Sequence, residues 1–252
     1  MTHSPGEPDP FAALRDDAAC ARAVALIDKR PAVRALYADL VAARGEVQAC
    51  LAGLMRAHAA LVEAFAAGGK LLLAGNGGSH ADALHFSAEL LKEFRLPHPL
   101  AAGEQDAYRH LSYGEGLAAH LRPALPAVVL GANSALASAV INDSPDPQLV
   151  FAQECRALVR PGDVFLGLST SGNAHNVVLA LAVAQVRGAR TVALTGRDGG
   201  RLGQAADILV AAPAEETAAV QELHIVLYHA LAAGVEAHFF THGGPGPEGS
   251  GP

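Results

Sequence analysis

The 252-residue sequence predicts an α/β fold: a doubly wound parallel five-stranded sheet flanked by helices and preceded by an N-terminal helical pair. Three observations carry that prediction. Five short apolar runs alternate with helix-length segments. Each run is apolar throughout, the pattern of strands buried on both faces, where a half-solvated sheet would alternate. The chain is 51% hydrophobic and only 17% charged, enough to fill a sizeable core. Right-handed crossovers leave few other ways to join parallel strands.

From Asp9 to Ala67 the chain is Ala-rich, with Leu, Val and Ile every three or four residues and charges between them. That spacing predicts a pair of helices punctuated by Pro31, the second running from about Ala32 to Phe65 with breaks. Gly68-Gly69 ends it. Lys70 to Ala74 is the first strand. It leads through Gly75-Asn-Gly-Gly-Ser79 into an amphipathic helix, His80 to Phe94. Pro126 to Leu130 is the second strand, followed by a helix from Ser134 to Ile141. Val164 to Leu168 is the third, running into Ser169-Thr-Ser-Gly-Asn173 and a helix from His175 to Arg187. Thr191 to Thr195 and Asp207 to Val210 are the fourth and fifth, and a long last helix spans about Glu215 to Phe239. Between them, Arg95 to Pro123 breaks the rhythm with three histidines, two tyrosines and a short helical pattern from Gly103 to Leu111, a surface excursion that serves as a lid, an interface element or a neutral insertion. The tail beyond His242 has no periodicity and reads as disordered.

Composition excludes several function classes. Lys plus Arg number 18 against 25 Asp plus Glu, a net charge of −7, so no basic footprint for nucleic acid or an anionic membrane is present. Cys20, Cys50 and Cys155 are widely spaced and odd in number, which argues against a disulfide framework or thiolate zinc site. The N-terminus carries acids and prolines where a signal peptide needs a basic and then an apolar region. The two long uncharged stretches, Pro123 to Asn142 and Val164 to Val186, are broken by Pro, Gly, Asn, Ser and His and do not read as membrane spans. The expectation is a soluble, cytoplasmic protein.

Two strand–loop–helix units share one design. Glycines in Gly75-Asn-Gly-Gly-Ser79 allow a tight turn at a strand's carboxyl end, and Ser79 is expected to cap the helix that follows. Ser169-Thr-Ser-Gly-Asn173 puts three hydroxyls at the equivalent turn. Helix N-termini offer free N–H groups and a positive dipole end, so clustered hydroxyls there suit a phosphate, and ligands of open α/β sheets sit beyond the strands' carboxyl ends. A dinucleotide fingerprint fails because His80 stands where its third glycine belongs, and no Gly-Lys-Ser/Thr of a Walker loop exists.

His85 and Glu89, at i and i+4, share one helix face; an imidazole and a carboxylate so placed can hold a divalent metal or exchange protons. On the last helix Gln221, Glu222, His224 and His229 lie close in sequence, and helical angles alone do not choose among them: Glu222 and His229 are nearly aligned, and Gln221 and His229 are offset by about 80°.

Taken in order, Gly75-Asn-Gly-Gly-Ser79, Ala81-Asp82, His85-Phe86, Ala88-Glu89, Asn142-Asp143, Arg160-Pro-Gly-Asp163, Ser169-Thr-Ser-Gly-Asn173 with Asn176-Val177, Leu194 to Gly200, and Gln221-Glu-Leu-His224 with His229 resemble the phosphoheptose isomerases of the sugar isomerase (SIS) fold. The likeness runs from about Leu36 to Glu236. It implies a SIS domain over 68–240 with an insertion near 98–120, N-terminal helices over 1–67 that belong to the same domain and pack against a neighbouring subunit, and a disordered tail over 241–252. It also implies an activity, the interconversion of a ketose phosphate such as sedoheptulose 7-phosphate and an aldose phosphate through an enediol. Carried over by position, Glu89 would be the base and His229 the acid. Zinc would be held by His85, Glu89, Gln221 and His229. Asn76, Gly77, Ser79, Ser169, Thr170, Ser171, Asn173, Thr217 and Gln221 would bind substrate, and the assembly would be a homotetramer.

The chain departs from the family pattern in several places. Ala174 replaces a hydroxyl residue, removing one phosphate donor worth about 1–2 kcal/mol. Asn133-Ser134-Ala135, Ala218-Ala219 and Leu84 also differ, and the excursion from His98 to His120 has no counterpart. Retained acid–base and metal positions with drifting surroundings suggest isomerase chemistry on an altered sugar phosphate, such as an eight-carbon octulose 8-phosphate. The rival reading, a non-catalytic SIS adaptor, would need the fold but no metal, so intact His85, Glu89, Gln221 and His229 favour an enzyme. A sugar-phosphate-sensing regulator would need a DNA-binding segment that the sequence lacks.

Overall fold

The five apolar runs become five parallel strands, β1 (Leu71–Ala74), β2 (Ala127–Val129), β3 (Val164–Ser169), β4 (Arg190–Thr195) and β5 (Ile208–Ala211), in the order β2-β1-β3-β4-β5. The computed structural model describes residues 9–241; the tail read as disordered lies outside the described residues, apart from Thr241. Register pairs Leu71 with Ala127 on one side and with Val164 on the other, and Val164 with Arg190. Strand order reverses beside β1, so the loops after β1 and β3 flank the crevice where ligands of such sheets sit.

Helices cover both faces. Leu71, Leu73, Val164, Leu166, Val192 and Leu194 point into a cluster shared with α4 (Leu51–Ala66), α5 (Gly78–Leu90) and α12 (Thr217–Phe240). Leu72, Ala74, Phe165 and Ala193 point the other way, against α9 (Val150–Leu158), α10 (His175–Val186) and α11 (Gly200–Ala205). Such alternation explains the unbroken apolar runs, since both faces are dry. Each fully buried leucine contributes about 1.5–3 kcal/mol. The stretches Gly45–Ala66 and Thr217–Phe240 are long and apolar enough to cross a membrane by length and composition, yet 72% and 61% of their most apolar windows are buried within this fold.

The N-terminal segment is more divided than a pair of helices. It forms α1 (Ala12–Arg15), α2 (Ala21–Asp28), α3 (Pro31–Ala43), a 3-10 turn (Gly45–Cys50) and α4. The break at Arg44-Gly45 lets α3 fold back onto α12, and Val24, Ile27, Val33 and Tyr37 enter the same cluster as the sheet. The excursion contains two short helices, α6 (Ala102–Arg109) and α7 (Gly114–His120), where one was expected; Tyr113 between them takes a left-handed conformation with φ 66°. α8 (Ser134–Asp143) follows β2 and is capped by the Asn133 side chain, which accepts from Leu136 N. Neither α9 nor α11 is among the expected elements. α11 is six residues with two glycines and reads as loop. α9 begins two residues after Gln148, behind a Pro-rich turn that masks an amphipathic pattern.

Candidate active site

Two helices build the chemical centre. α5 leaves the carboxyl end of β1 and α12 follows β5; they lie side by side in the same direction, with Gly78 beside Gln221 and His85 beside Tyr228 and His229. The i, i+4 spacing of His85 and Glu89 is realised on one face: His85 Nε2 lies 3.2 Å from Glu89 Oε1. From α12, His229 Nε2 approaches His85 Nε2 to 3.4 Å, and the ligating atoms of His85, Glu89 and His229 all lie within 4.8 Å of one another. Glu89 is mostly shielded, with its second oxygen 3.2 Å from Lys92 Nζ.

Burial lowers the pKa of His229, and the nearby His85 and Arg95 lower it further against the opposing pull of Glu89. A neutral imidazole keeps a lone pair for a metal. Two imidazole nitrogens facing each other beside a carboxylate oxygen form a donor set that suits zinc, so the residues fit the implied ion. Phe94 tilts over His229, ring centroids 5.4 Å apart, and a cavity of about 680 Å³ opens there between α3, Arg95 and α12.

Gln221, the fourth expected ligand, sits at the other end of the pair. Its carboxamide packs on Gly78, where a built Cβ would lie 2.3 Å from Gln221 Nε2. Eight residues separate it from His229, about 12 Å of helix. The groups brought together in this conformation are therefore His85, Glu89 and His229.

The two loops meet at the carboxyl edge. Gly77 (φ 53°, ψ −120°) occupies the cap position of α5, so Ser79 is a helical residue, buried, and does not cap, contrary to expectation. The Asn76 and Asn176 amides donate to each other reciprocally at 2.9 Å, tying the first loop to α10. Ser169 is buried at the end of β3, where its hydroxyl accepts weakly from Ala174 N at 3.4 Å. Thr170 is half-buried, while Ser171 and Asn173 are exposed, with the Ser171 hydroxyl accepting from Asn173 N at 3.2 Å. Gly172 (φ 64°) packs so tightly that a Cβ would meet Gly199 O at 1.9 Å. The Leu194 to Gly200 motif thus buttresses this turn, and Arg201 N donates to Asn173 Oδ1 at 3.2 Å. Thr217 is exposed at the first position of α12, which the Glu216 side chain caps.

Comparison with known proteins agrees with the fold. The SIS domain family matches residues 143–234. A phosphoheptose isomerase of Halorhodospira halophila is 37% identical over 224 residues, covering 87% of this chain and all of the relative. The chain belongs to the phosphoheptose isomerase family. Among solved structures, a phosphoheptose isomerase from Neisseria gonorrhoeae is 34% identical with a TM-score of 0.61, covering 81% of this chain and 96% of that one. Another from Francisella tularensis is 30% identical with a TM-score of 0.60, covering 73% and 84%. As a phosphoheptose isomerase family member the chain is an aldose–ketose isomerase, and its substrate is a small-molecule sugar phosphate.

Tyr228 is a contributor that the sequence did not reveal. Its hydroxyl lies 2.9 Å from His85 Nδ1 and 3.5 Å from Asp82 Oδ1. Burial and the Asp82 charge raise its pKa, and burial raises that of Asp82. A tyrosine preceding a histidine in an apolar helix reads as core, and nothing in the pattern marks its hydroxyl. Asp82 and Asn176 stood within family motifs, without a role.

Proposed function

We propose that this isomerase interconverts sedoheptulose 7-phosphate, or a longer ketose such as octulose 8-phosphate, with the corresponding aldose phosphate through an enediol. Glu89 takes a proton from the hydroxyl-bearing carbon beside the carbonyl, exchanges it with solvent while the enediol persists, and delivers a proton to the former carbonyl carbon. His229 handles the compensating proton on the neighbouring oxygens, so the reaction is redox-neutral overall. Zinc, when bound, would be held by His85, Glu89 and His229 and would supply Lewis-acid stabilisation of charge on the substrate oxygens. Gln221, the fourth ligand that the resemblance implies, lies beside Gly78 and would join the ion only after a rearrangement of the helix pair. Ser79, Ser169, Thr170, Ser171 and Asn173 bind the phosphate, while Asn76, Gly77, Thr217 and Gln221 line the path of the sugar chain.

The single observation that carries this reading is the convergence of His85, Glu89 and His229 on one small volume. His85 and Glu89 lie 7 and 11 residues beyond Gly78 on α5, about 10 and 16 Å from the glycine loop, a separation suited to a chain held by its phosphate at one end. A homotetramer is part of the proposal, with the N-terminal helices (1–67) and the SIS domain (68–240) forming one unit that packs against neighbours. Exposed Leu84 and Leu91 beside the site support burial against another copy. The protein is proposed to act in the cytoplasm.

Assaying the zinc-loaded enzyme with the seven- and eight-carbon ketose phosphates, beside Glu89→Gln and His229→Asn, tests the assignment. Aldose phosphate should form with the wild type, and each variant should lose at least about 100-fold in kcat, the scale of acid–base catalysis. Undiminished turnover by Glu89→Gln would remove it from the mechanism.

A further inference from the structure

We infer that Tyr228 and Asp82 form a positioning relay that fixes the His85 imidazole for metal binding. The inference rests on the metal site proposed above. Tyr228 is fully buried, its ring stacked on Phe86 at 5.6 Å and edge-on to His85 at 5.5 Å, so its hydroxyl is held in one place. That hydroxyl lies 2.9 Å from His85 Nδ1 and 3.5 Å from Asp82 Oδ1. Asp82 is itself buried, and its other oxygen has no hydrogen-bond partner among the described residues.

The proton positions follow from the donor inventory. His85 Nε2 faces Glu89 and His229, so Nε2 is the nitrogen available to a metal. A neutral imidazole that binds through Nε2 carries its proton on Nδ1 and needs an acceptor there. The Tyr228 oxygen is that acceptor, and its own hydrogen then points to Asp82. In the opposite arrangement the hydroxyl donates to Nδ1. That places the ring proton on Nε2, where it blocks the ligand position, and leaves both oxygens of a buried carboxylate unpaired, at a cost. The sequence His85 N–H to Tyr228 O–H to Asp82 carboxylate gives the ring nitrogen, the hydroxyl and one of the two carboxylate oxygens a partner, where the opposite arrangement leaves both oxygens without one. Packing alone would be served equally by phenylalanine, so the hydroxyl is the informative atom.

Zinc affinity, read by competition with a chromophoric chelator, tests the relay. Tyr228→Phe keeps the ring contacts and removes only the hydroxyl; it should weaken zinc binding about 10- to 100-fold while the metal-free protein unfolds at nearly the wild-type temperature. Asp82→Asn retains an acceptor oxygen and should lose less than Asp82→Ala. The Tyr228→Phe/Asp82→Ala double variant should bind zinc no more weakly than Tyr228→Phe, because both act through one chain of bonds. Should Tyr228→Phe bind within about twofold of the wild type while His85→Ala loses the metal, the relay is wrong and the metal site stands. A wild type that binds no zinc, or binds it regardless of His85→Ala, overturns the metal site and the relay with it.

Discussion

Acid should unfold this protein through histidines that the fold keeps neutral. His58 and His224 are fully buried, and burial lowers their pKa values from 6.5 to about 3 and about 4. His58 is further depressed by the neighbouring His238, itself lowered to about 4, and Tyr37 holds the His58 Nδ1 with its hydroxyl 3.0 Å away. In the unfolded chain these rings titrate near pH 6.5, so below that pH the unfolded state binds protons that the folded state refuses. The stability they confer is therefore intact above pH 6.5 and falls as the pH drops toward 4. At 1.36 kcal/mol per pH unit and group, His58 and His224 together cost about 4 kcal/mol between pH 7 and pH 5, a large share of a typical 5–15 kcal/mol. Urea unfolding at pH 7, 6 and 5 measures this directly. Between pH 6 and 5 the two should give a slope of about 2.5 kcal/mol per unit, and His224→Leu should remove roughly half of it. A wild-type stability that is flat from pH 7 to pH 5 would refute the reasoning.

Three further outcomes follow from particular contacts. Glu236 is buried and accepts from Phe94 N at 2.6 Å and Arg95 N at 2.9 Å, so Glu236→Ala should cost about 2–4 kcal/mol in denaturant unfolding. By releasing Phe94 from His229 it should also raise KM; unchanged stability would show that the clamp carries no weight. Gly172→Ala forces a side chain onto Gly199 O in a left-handed conformation and should destabilise by at least about 2 kcal/mol while abolishing phosphate binding, checked by thermal unfolding and inorganic phosphate titration. Ala174 is an uncapped N-cap of α10 in extended geometry, so Ala174→Ser should stabilise by about 1 kcal/mol and lower KM for the sugar phosphate; a higher KM would contradict its place at the phosphate loop.

Most of the sheet was legible because a parallel strand buried on both faces needs a continuous apolar run, and Leu71 to Ala74 and Val164 to Leu168 are written that way. The helices it missed fail for local reasons: α11 carries two glycines in six residues, and α9 hides behind Asp146-Pro147. His85 and Glu89 were visible because i, i+4 spacing is a one-helix property. The choice of His229 from α12 was not, since periodicity says nothing of which helix lies opposite; that partner came only from the family resemblance. Ser79 misled because a serine after glycines usually caps, and the unusual conformation of Gly77, which a pattern cannot show, moves the cap two residues earlier. The Tyr228 hydroxyl was illegible because its ring alone suffices to explain its burial.

Proton transfer at carbon by Glu89 is the central chemical claim, and isotope incorporation reads it most directly. The zinc-loaded enzyme is incubated with sedoheptulose 7-phosphate in deuterated water, and deuterium at the carbon beside the new carbonyl is followed by proton magnetic resonance. The wild type should place deuterium at the former carbonyl carbon as aldose phosphate accumulates, and Glu89→Gln should place none. Aldose phosphate formed without deuterium would point to direct hydride shift and contradict an enediol, while deuterium incorporation by Glu89→Gln at the wild-type rate would contradict its role as the base.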